Sequence, residues 1–263
     1  MIPKIIHYCW FGGNPFPPGV EKCIESWKRY CPDYEIIEWN ESNFDINYNA
    51  FTEEAYKAKK WAFVSDVARL WILVNHGGIY MDTDCEVVQN IDKFLSLDAV
   101  SGFELPDRAP TGMMGCIKGH ELFKELLAEY ETRHFLMPDG TYDMTSNVVT
   151  INRTLMKHGL VPNNTLQTVA NFTVYPTEYF CPKDWVTDRL SMTVNTHVIH
   201  HFTETWLEEG DFQKIKVDRY KFFCKVFGKK LGRKIYRAWY AYKRNGIFGL
   251  FVTVVEKIRR RKK

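Results

Sequence analysis

The chain lacks any apolar run of the roughly 18 residues that a membrane-spanning helix needs, so no transmembrane segment is expected. Its seven cysteines (Cys9, Cys23, Cys31, Cys85, Cys116, Cys181 and Cys224) are odd in number and scattered, with no CxxC pair or metal-ligand spacing. That excludes a disulfide framework and leads us to expect reduced thiols in a cytosolic setting. The opening MIPKIIHYCWFGG has neither the basic start nor the long apolar stretch of a signal peptide, and it reads as a buried strand. No internal repeat is visible. Acidic residues all but vanish at the C-terminal end, where Lys214 to Lys263 holds only Asp218 and Glu256.

What that end does hold is 18 of the chain's 35 lysines and arginines, leaving 17 cations against 30 acids in residues 1–213. An acidic body thus carries a basic tail, and such blocks mark contact with something anionic. Within the tail Tyr220, Phe223, Phe227, Leu231, Ile235, Trp239 and Tyr242 recur at helical steps, and Lys221, Lys225, Lys229, Arg233 and Arg237 follow another face. A short apolar segment, GIFGLFVTVV, and a polybasic end complete it. The pattern fits an in-plane anchor on an anionic membrane surface, with a helix packed on the body as the alternative. Nothing else resembles a nucleic-acid-binding motif, and no nucleic acid partner is expected.

With 263 residues, of which 45% are hydrophobic, the body can bury a full core. We expect one domain over 1–213 and the tail over 214–263. The body alternates strand-like and helical segments, the mark of an α/β fold. Strands are expected at PKIIHYCW (3–10), YEIIEW (34–39), GGIYMDTD (77–84), AVSGFE (99–104), MMGCIKG (113–119) and THVIHHF (196–202). Helices are expected at 20–30, over EEAYKAKKWAF, over SDVARLWILVNH with Ser65 as N-cap, at 121–133 and at 147–159.

GGIYMDTDCEVV (77–88) carries the chemistry. On an extended strand Asp82 and Asp84 would share one side, like charges about 7 Å apart. They need a counterion, either a divalent metal or a nearby Arg or Lys. Oxygen ligands suit Mg²⁺ or Mn²⁺, whose shells are usually completed by water and phosphate, so a diphosphate leaving group would be the natural partner.

The run SDVARLWILVNHGGIYMDTD, preceded by IPKIIHYCWFG, resembles glycosyltransferase family 32, which includes bacterial capsule and lipopolysaccharide sugar transferases and yeast-type Golgi mannosyltransferases. It is also similar to the catalytic cores of the clostridial glucosylating toxins. The likeness covers about residues 2–105 and HHFTETW near 200–206. It implies a nucleotide-sugar-binding fold of GT-A type, a nucleotide-sugar donor with UDP-hexose ahead of GDP-mannose, an Mn²⁺ or Mg²⁺ cofactor, and transfer with retention. A polyprenyl-diphosphate-linked or other glycan acceptor in bacterial surface-polysaccharide synthesis follows, with the enzyme on the inner face of the plasma membrane. Transfer onto a protein and a non-catalytic scaffold are the alternatives.

The resemblance also implies residue roles. Asp84 would bind the metal, with Asp82 contacting metal and ribose. Asp66 and Arg69 would bind hydroxyls of the donor sugar, the plainer reading being an intrahelical salt bridge. Trp10 would lie near the base unless it is a core residue. Gly77 and Gly78 would let backbone approach closely where the helix turns into the strand, and with Tyr80 they are placed among the substrate-binding residues. In the last strand His201 is preferred to His200 as a metal ligand, alternation sending the two to opposite sides. Trp206 would meet the diphosphate, and Glu204-Thr205-Trp206 stands where relatives often have Gly-Ser-Trp. Asn147 and the loop 104–114 are placed with the acceptor. Retention would use either a carboxylate nucleophile or a same-face displacement; no isolated acid stands out as nucleophile, which favours the second.

Overall fold

The computed structural model describes residues 1–186, 188–203, 217–236 and 238–239. They form two compact units, one of Met1–Asp184 with Arg189–Trp206, the other of Trp185–Asp188 with Leu207–Lys263. The expected boundary at 213/214 lies outside the described residues.

The first unit is built on a mixed sheet in the order β2-β1-β3-β6-β5-β8-β7. Its strands are β1 (Ile5–Cys9), β2 (Glu35–Trp39), β3 (Gly78–Met81), β5 (Ala99–Gly102), β6 (Met113–Cys116), β7 (Gln167–Val169) and β8 (Phe172–Tyr175). The pairs β1–β2, β1–β3 and β5–β8 are parallel, and β6 runs antiparallel between β3 and β5. A separate ribbon joins β4 (Cys85–Val87) to β9 (Val198–His200). The α/β class expected from the alternation is the class observed.

Apolar patterning explains which face each element covers. In β3, Ile79 and Met81 enter one core cluster and Tyr80 the other, so the strand is buried on both sides. The Tyr80 side is covered by α2 (Ala50–Lys57), α3 (Trp61–His76), α4 (Glu121–Ala128) and α5 (Asn147–Lys157). On the other side lie α1 (Val20–Tyr30) and the short α6 (Thr177–Phe180). α1 buries Val20, Cys23, Ser26 and Trp27, the stripe its spacing predicts. Trp27 Nε1 donates to the Cys85 carbonyl at 2.7 Å, and Ser26 Oγ accepts from the Val87 N–H at 2.9 Å. α1 thereby fixes the start of β4.

α3 begins a full turn earlier than expected. Its N-cap position is Lys60, and Ser65 lies inside the helix with its hydroxyl donating to the Trp61 carbonyl at 3.1 Å. Burial of Phe63 and Val64 carries the helix back past the serine. Gly77 then ends it at φ 70.

The second unit corrects the expectation of one straight amphipathic helix. Residues 217–236 are helical on both sides of Gly228, whose φ of 75 breaks the run. Tyr220 and Tyr236 would be about 24 Å apart along a straight helix, yet their ring centroids are 5.3 Å apart. Arg233 Nε donates to the Tyr220 hydroxyl at 3.2 Å, and a Cβ on Gly232 would come within 2.3 Å of the Phe223 carbonyl oxygen. The described part of the tail is a hairpin of two short helices that cross closely at Gly232. No helix among the described residues is long and apolar enough to cross a membrane.

Candidate active site

β1 and β3 run parallel with His7 opposite Tyr80, so Trp10 and Asp82 both leave the sheet at the carboxyl ends of their strands. That edge is where open α/β sheets hold their ligands. Just outside it, α3 presents Asp66 and Arg69 on one face, both buried. The Arg69 guanidinium lies 3.3 Å from Asp66 and 3.1 Å from Asp82, and 4.6 Å above the Tyr80 ring. Burial opposes its charge, but Asp82, Tyr80 and Asp66 outweigh that and secure it. Burial pushes the Asp66 carboxyl up to about 6, with Arg69 and the Asn147 N–H pulling the other way. That N–H donates to Asp66 at 2.9 Å, and the Asn147 side chain donates to the Asp66 carbonyl at 2.6 Å. The Asn147 side-chain oxygen is buried without a partner.

The acids themselves do not lie along an extended strand. β3 stops at Met81, and residues 82–85 form a turn closed by the Cys85 N–H on the Asp82 carbonyl at 2.9 Å. The turn sends the carboxylates to different partners, Asp82 to Arg69 and Asp84 to His200, whose Nε2 lies 3.3 Å away. The Thr203 N–H also donates to Asp84 at 2.9 Å. Burial opposes ionisation of Asp84, but His200 and Thr203 outweigh it and hold the carboxyl below its usual range. Burial likewise opposes a charge on His200, and Asp84 outweighs it, raising the imidazole well above its ordinary value.

The order of preference between the two histidines therefore reverses. Alternation does send them apart, as expected, but His200 is the one that faces Asp84; His201 turns to Glu86 at 2.8 Å. The register of the β4–β9 ribbon, with Cys85 opposite His200, sets this choice. Gly77 and Gly78 allow the close backbone approach expected where the helix turns into the strand. Gly77 caps α3 and Gly78 opens β3, about 13 Å along the strand from Asp82. Their missing side chains make room for neighbouring strands: a Cβ on Gly77 would meet the Lys118 amide at 2.6 Å and one on Gly78 the Ile5 carbonyl at 2.9 Å. Tyr80 is 2% exposed and supports Arg69 from below. Trp10 is half-buried, its indole donating to the Asn14 carbonyl at 2.7 Å and its ring edge-on to Phe16. Trp206 and Glu204 lie outside the described residues.

Cys85 escaped the sequence reading, and Glu104 and Gly112 entered it only as parts of the loop 104–114 placed with the acceptor. Glu104, just past β5, is half-buried with an oxygen 3.8 Å from His200 Nδ1, which has no hydrogen-bond partner. Burial raises its carboxyl above the usual value, against the pull of His200 and Arg108. Gly112 forms the floor: a Cβ there would lie 2.8 Å from Asp82 Oδ2, 2.9 Å from Cys85 Sγ and 3.2 Å from His200 Cε1. Cys85 completes a group with Asp84 and His200 whose ligand atoms fall within 4.8 Å of one another. Carboxylate and imidazole suit Mn²⁺ and less well Mg²⁺. The Cys85 thiol does not suit a hard cation, and burial together with Asp84 and Asp82 keeps it protonated. The donor set that fits a divalent cation is thus Asp84 and His200, with Asp82 beside them.

Residues 17–100 match the family described as a glycosyltransferase sugar-binding region containing a DXD motif, and Asp82-Thr83-Asp84 is that motif here. Over that segment, about a third of its length, the chain is similar to the DXD-type sugar-binding region. It is similar to two inositol phosphoceramide mannosyltransferases of Schizosaccharomyces pombe. One is 29% identical over 141 residues, 48% of this chain and 36% of the relative; the other is 31% identical over 122 residues, 42% and 36%. An uncharacterized glycosyltransferase of Acanthamoeba polyphaga mimivirus is 32% identical over 106 residues, 37% of this chain and 41% of the viral protein. The chain therefore spans well under half the length of these relatives. Among solved structures, the PaToxG glycosyltransferase aligns with 59% of this chain and 69% of its own at 18% identity and a TM-score of 0.45. A glycosyltransferase involved in glycosylating the major capsid of PBCV-1 aligns with 81% of this chain and 100% of its own, at 13% and 0.44. The sugar-binding region ends at residue 100, so His200, Glu104 and Gly112 join it from outside the matched segment.

Proposed function

We propose that the protein is a metal-dependent glycosyltransferase of GT-A type that moves a sugar, with retention, from a nucleotide-sugar to a lipid-linked acceptor. The observation that carries this is the pairing of Asp84 with His200 beside an Arg69 that ties Asp82 to Asp66. Asp84 and His200 would hold Mn²⁺ or Mg²⁺, with Asp82 next to them. The cation supplies charge stabilisation for the departing diphosphate. Asp66, held by Asn147 and Arg69, supplies a fixed acceptor for a donor-sugar hydroxyl, and Arg69 supplies donors on the same side. In a same-face transfer the bond from the sugar to phosphate breaks, the acceptor oxygen bonds to the same carbon, and its proton passes to the leaving phosphate.

Two curated relatives named for inositol phosphoceramide support a lipid acceptor, and the basic tail supports an anionic membrane surface as the workplace. We place that surface at the inner face of a bacterial plasma membrane, with surface-polysaccharide synthesis as the pathway and a polyprenyl-diphosphate-linked glycan as acceptor. UDP-hexose is the donor we favour. GDP-mannose is the second reading, favoured by the relatives' naming as mannosyltransferases. The test is release of free nucleotide from UDP- and GDP-sugars with Mn²⁺, with and without chelator. Metal-dependent hydrolysis of one donor, lost in Asp84→Ala, is expected. No release and no metal-dependent nucleotide binding would overturn the enzyme reading.

A further inference from the structure

The hairpin at the C-terminal end gives the tail a different membrane-facing side from the one its periodicity suggests. Turning at Gly228 and crossing at Gly232 folds part of the helical stripe inward: Tyr220, Phe223, Tyr236 and Trp239 lie against one another, with ring centroids 5.3 to 6.2 Å apart. Those rings are the hairpin's own small core. The apex is another matter. From Lys225 to Leu231 every residue is exposed, in the order Lys-Val-Phe-Gly-Lys-Lys-Leu. Val226 is 56% exposed, Phe227 44% and Leu231 53%, and Phe222, a turn earlier, is 61% exposed.

A soluble surface does not ordinarily group large apolar side chains at one tip. Phe222 and Phe227 touch the Phe223 ring on one side, but leaving so much of the four side chains in water forgoes the burial that apolar surface favours. Here they are interleaved with lysines, in a segment where Lys214–Lys263 has 18 basic residues and two acids. A protein partner would need both an apolar pocket and a large acidic field. An anionic bilayer supplies both at once, headgroup charge outside and acyl chains a few ångströms below. We propose that the apex of this hairpin, residues 222–231, is a membrane-docking tip, inserting Phe222, Val226, Phe227 and Leu231 among the headgroups of anionic lipids while Lys225, Lys229 and Lys230 contact their phosphates. This deepens the membrane part of the proposed function and rests on it only for the acceptor's whereabouts.

The tip residues are exposed and none belongs to the candidate active site; because Phe222 and Phe227 also touch the Phe223 ring, a second variant with only Val226 and Leu231 replaced by Ser keeps those ring contacts in place and should weaken partitioning in the same direction. The test uses the full chain and extruded vesicles of phosphatidylcholine with or without phosphatidylglycerol, with partitioning read by sedimentation. The wild-type protein should bind only the anionic vesicles and be released by salt. Replacing Phe222, Val226, Phe227 and Leu231 together by Ser should weaken partitioning by at least ~10-fold, since each buried CH₂ contributes about 0.8 kcal/mol. Replacing Lys225, Lys229 and Lys230 by Gln should weaken it by about 100-fold, roughly fivefold per lysine. Binding of either Ser variant equal to wild type would overturn the proposal and move any membrane contact to residues 246–263. Equal binding to neutral and anionic vesicles would overturn it too. Donor hydrolysis measured without vesicles keeps the two claims apart: loss of hydrolysis with vesicle binding intact condemns the active-site reading alone, and the converse condemns the tip.

Discussion

Gly112 offers the sharpest check on the geometry of the acidic corner. Its φ is not in the left-handed region, so alanine is allowed there by the backbone and only space decides. The added methyl would stand 2.8 Å from Asp82 Oδ2, 2.9 Å from Cys85 Sγ and 3.2 Å from His200 Cε1. Apolar atoms settle at about 3.5–4.0 Å, so something must recede by about half an ångström or more. Cys85 cannot move freely, because its carbonyl is held by Trp27 and its residue pairs with His200 in the ribbon. The Asp82 carboxylate is the mobile partner, and rotating it strains its 3.1 Å contact with Arg69. Overpacking of this kind costs about 1–3 kcal/mol of stability, and a misplacement approaching 1 Å costs on the order of 100-fold in rate. Gly112→Ala should therefore fold, unfold at lower urea, and release nucleotide roughly 10- to 100-fold more slowly, with weakened Mn²⁺ binding by electron paramagnetic resonance. If turnover and Mn²⁺ affinity both stay within about twofold of wild type, the close-packed floor does not position Asp82 and the reasoning fails.

Other consequences follow from the same corner. Arg69→Met leaves Asp66 and Asp82 facing each other without their cation; a loss of about 3–5 kcal/mol in urea unfolding is expected, the range for breaking a buried pair, and a change under about 1 kcal/mol would refute it. Asp66 has its carboxyl raised to about 6 in the folded protein from 3.8, so the stability it contributes is full below 3.8 and is lost as pH rises through about 6; that slope, read by denaturation across pH, should disappear in Asp66→Asn. Because Asp84 holds a proton on His200, Mn²⁺ must displace that proton to bind; affinity by calorimetry should rise with pH, and the dependence should flatten in His200→Ala. Glu104→Gln removes the carboxylate facing His200 Nδ1 and should weaken Mn²⁺ binding about 10-fold, the lower end for a residue behind a metal ligand, whereas unchanged affinity would show that Glu104 does not orient the ring.

The sequence made the reacting types visible but not their arrangement. Asp66 and Arg69 were legible through the family resemblance, with residues three apart on a helix sharing a face, and the paired acids because two carboxylates after a buried strand demand a cation. Their placement was not, because strand alternation was extended past Met81 into what is a turn. The turn forms where Asp82 N–H is captured by the Gly112 carbonyl at 2.8 Å, a contact between segments thirty residues apart that no local pattern encodes. The same holds for His200: alternation separates it from His201, but only the ribbon with β4 says which faces Asp84. Glu104 and Gly112 sit at the two ends of a loop that the sequence reading placed with the acceptor, and only the fold brings them to His200 and Asp82. In the tail, steps of three and four persist through Gly228, so periodicity alone could not register that the chain turns back there.

The Asp84–Thr203 contact spans 119 residues and closes the longest loop that the site depends on. Its entropy must be met before the carboxylate finds its imidazole and amide. Loop closure alone thus favours assembling this corner after contacts that span less chain, such as the one between Asp66 and Asn147. A nascent chain that ended before β9 could present a formed sugar-facing half with an unfinished cation-facing half. The same division limits transplantation: a segment cut at the family's boundaries, residues 17–100, would carry one half of the chemistry into a new host and leave the other behind.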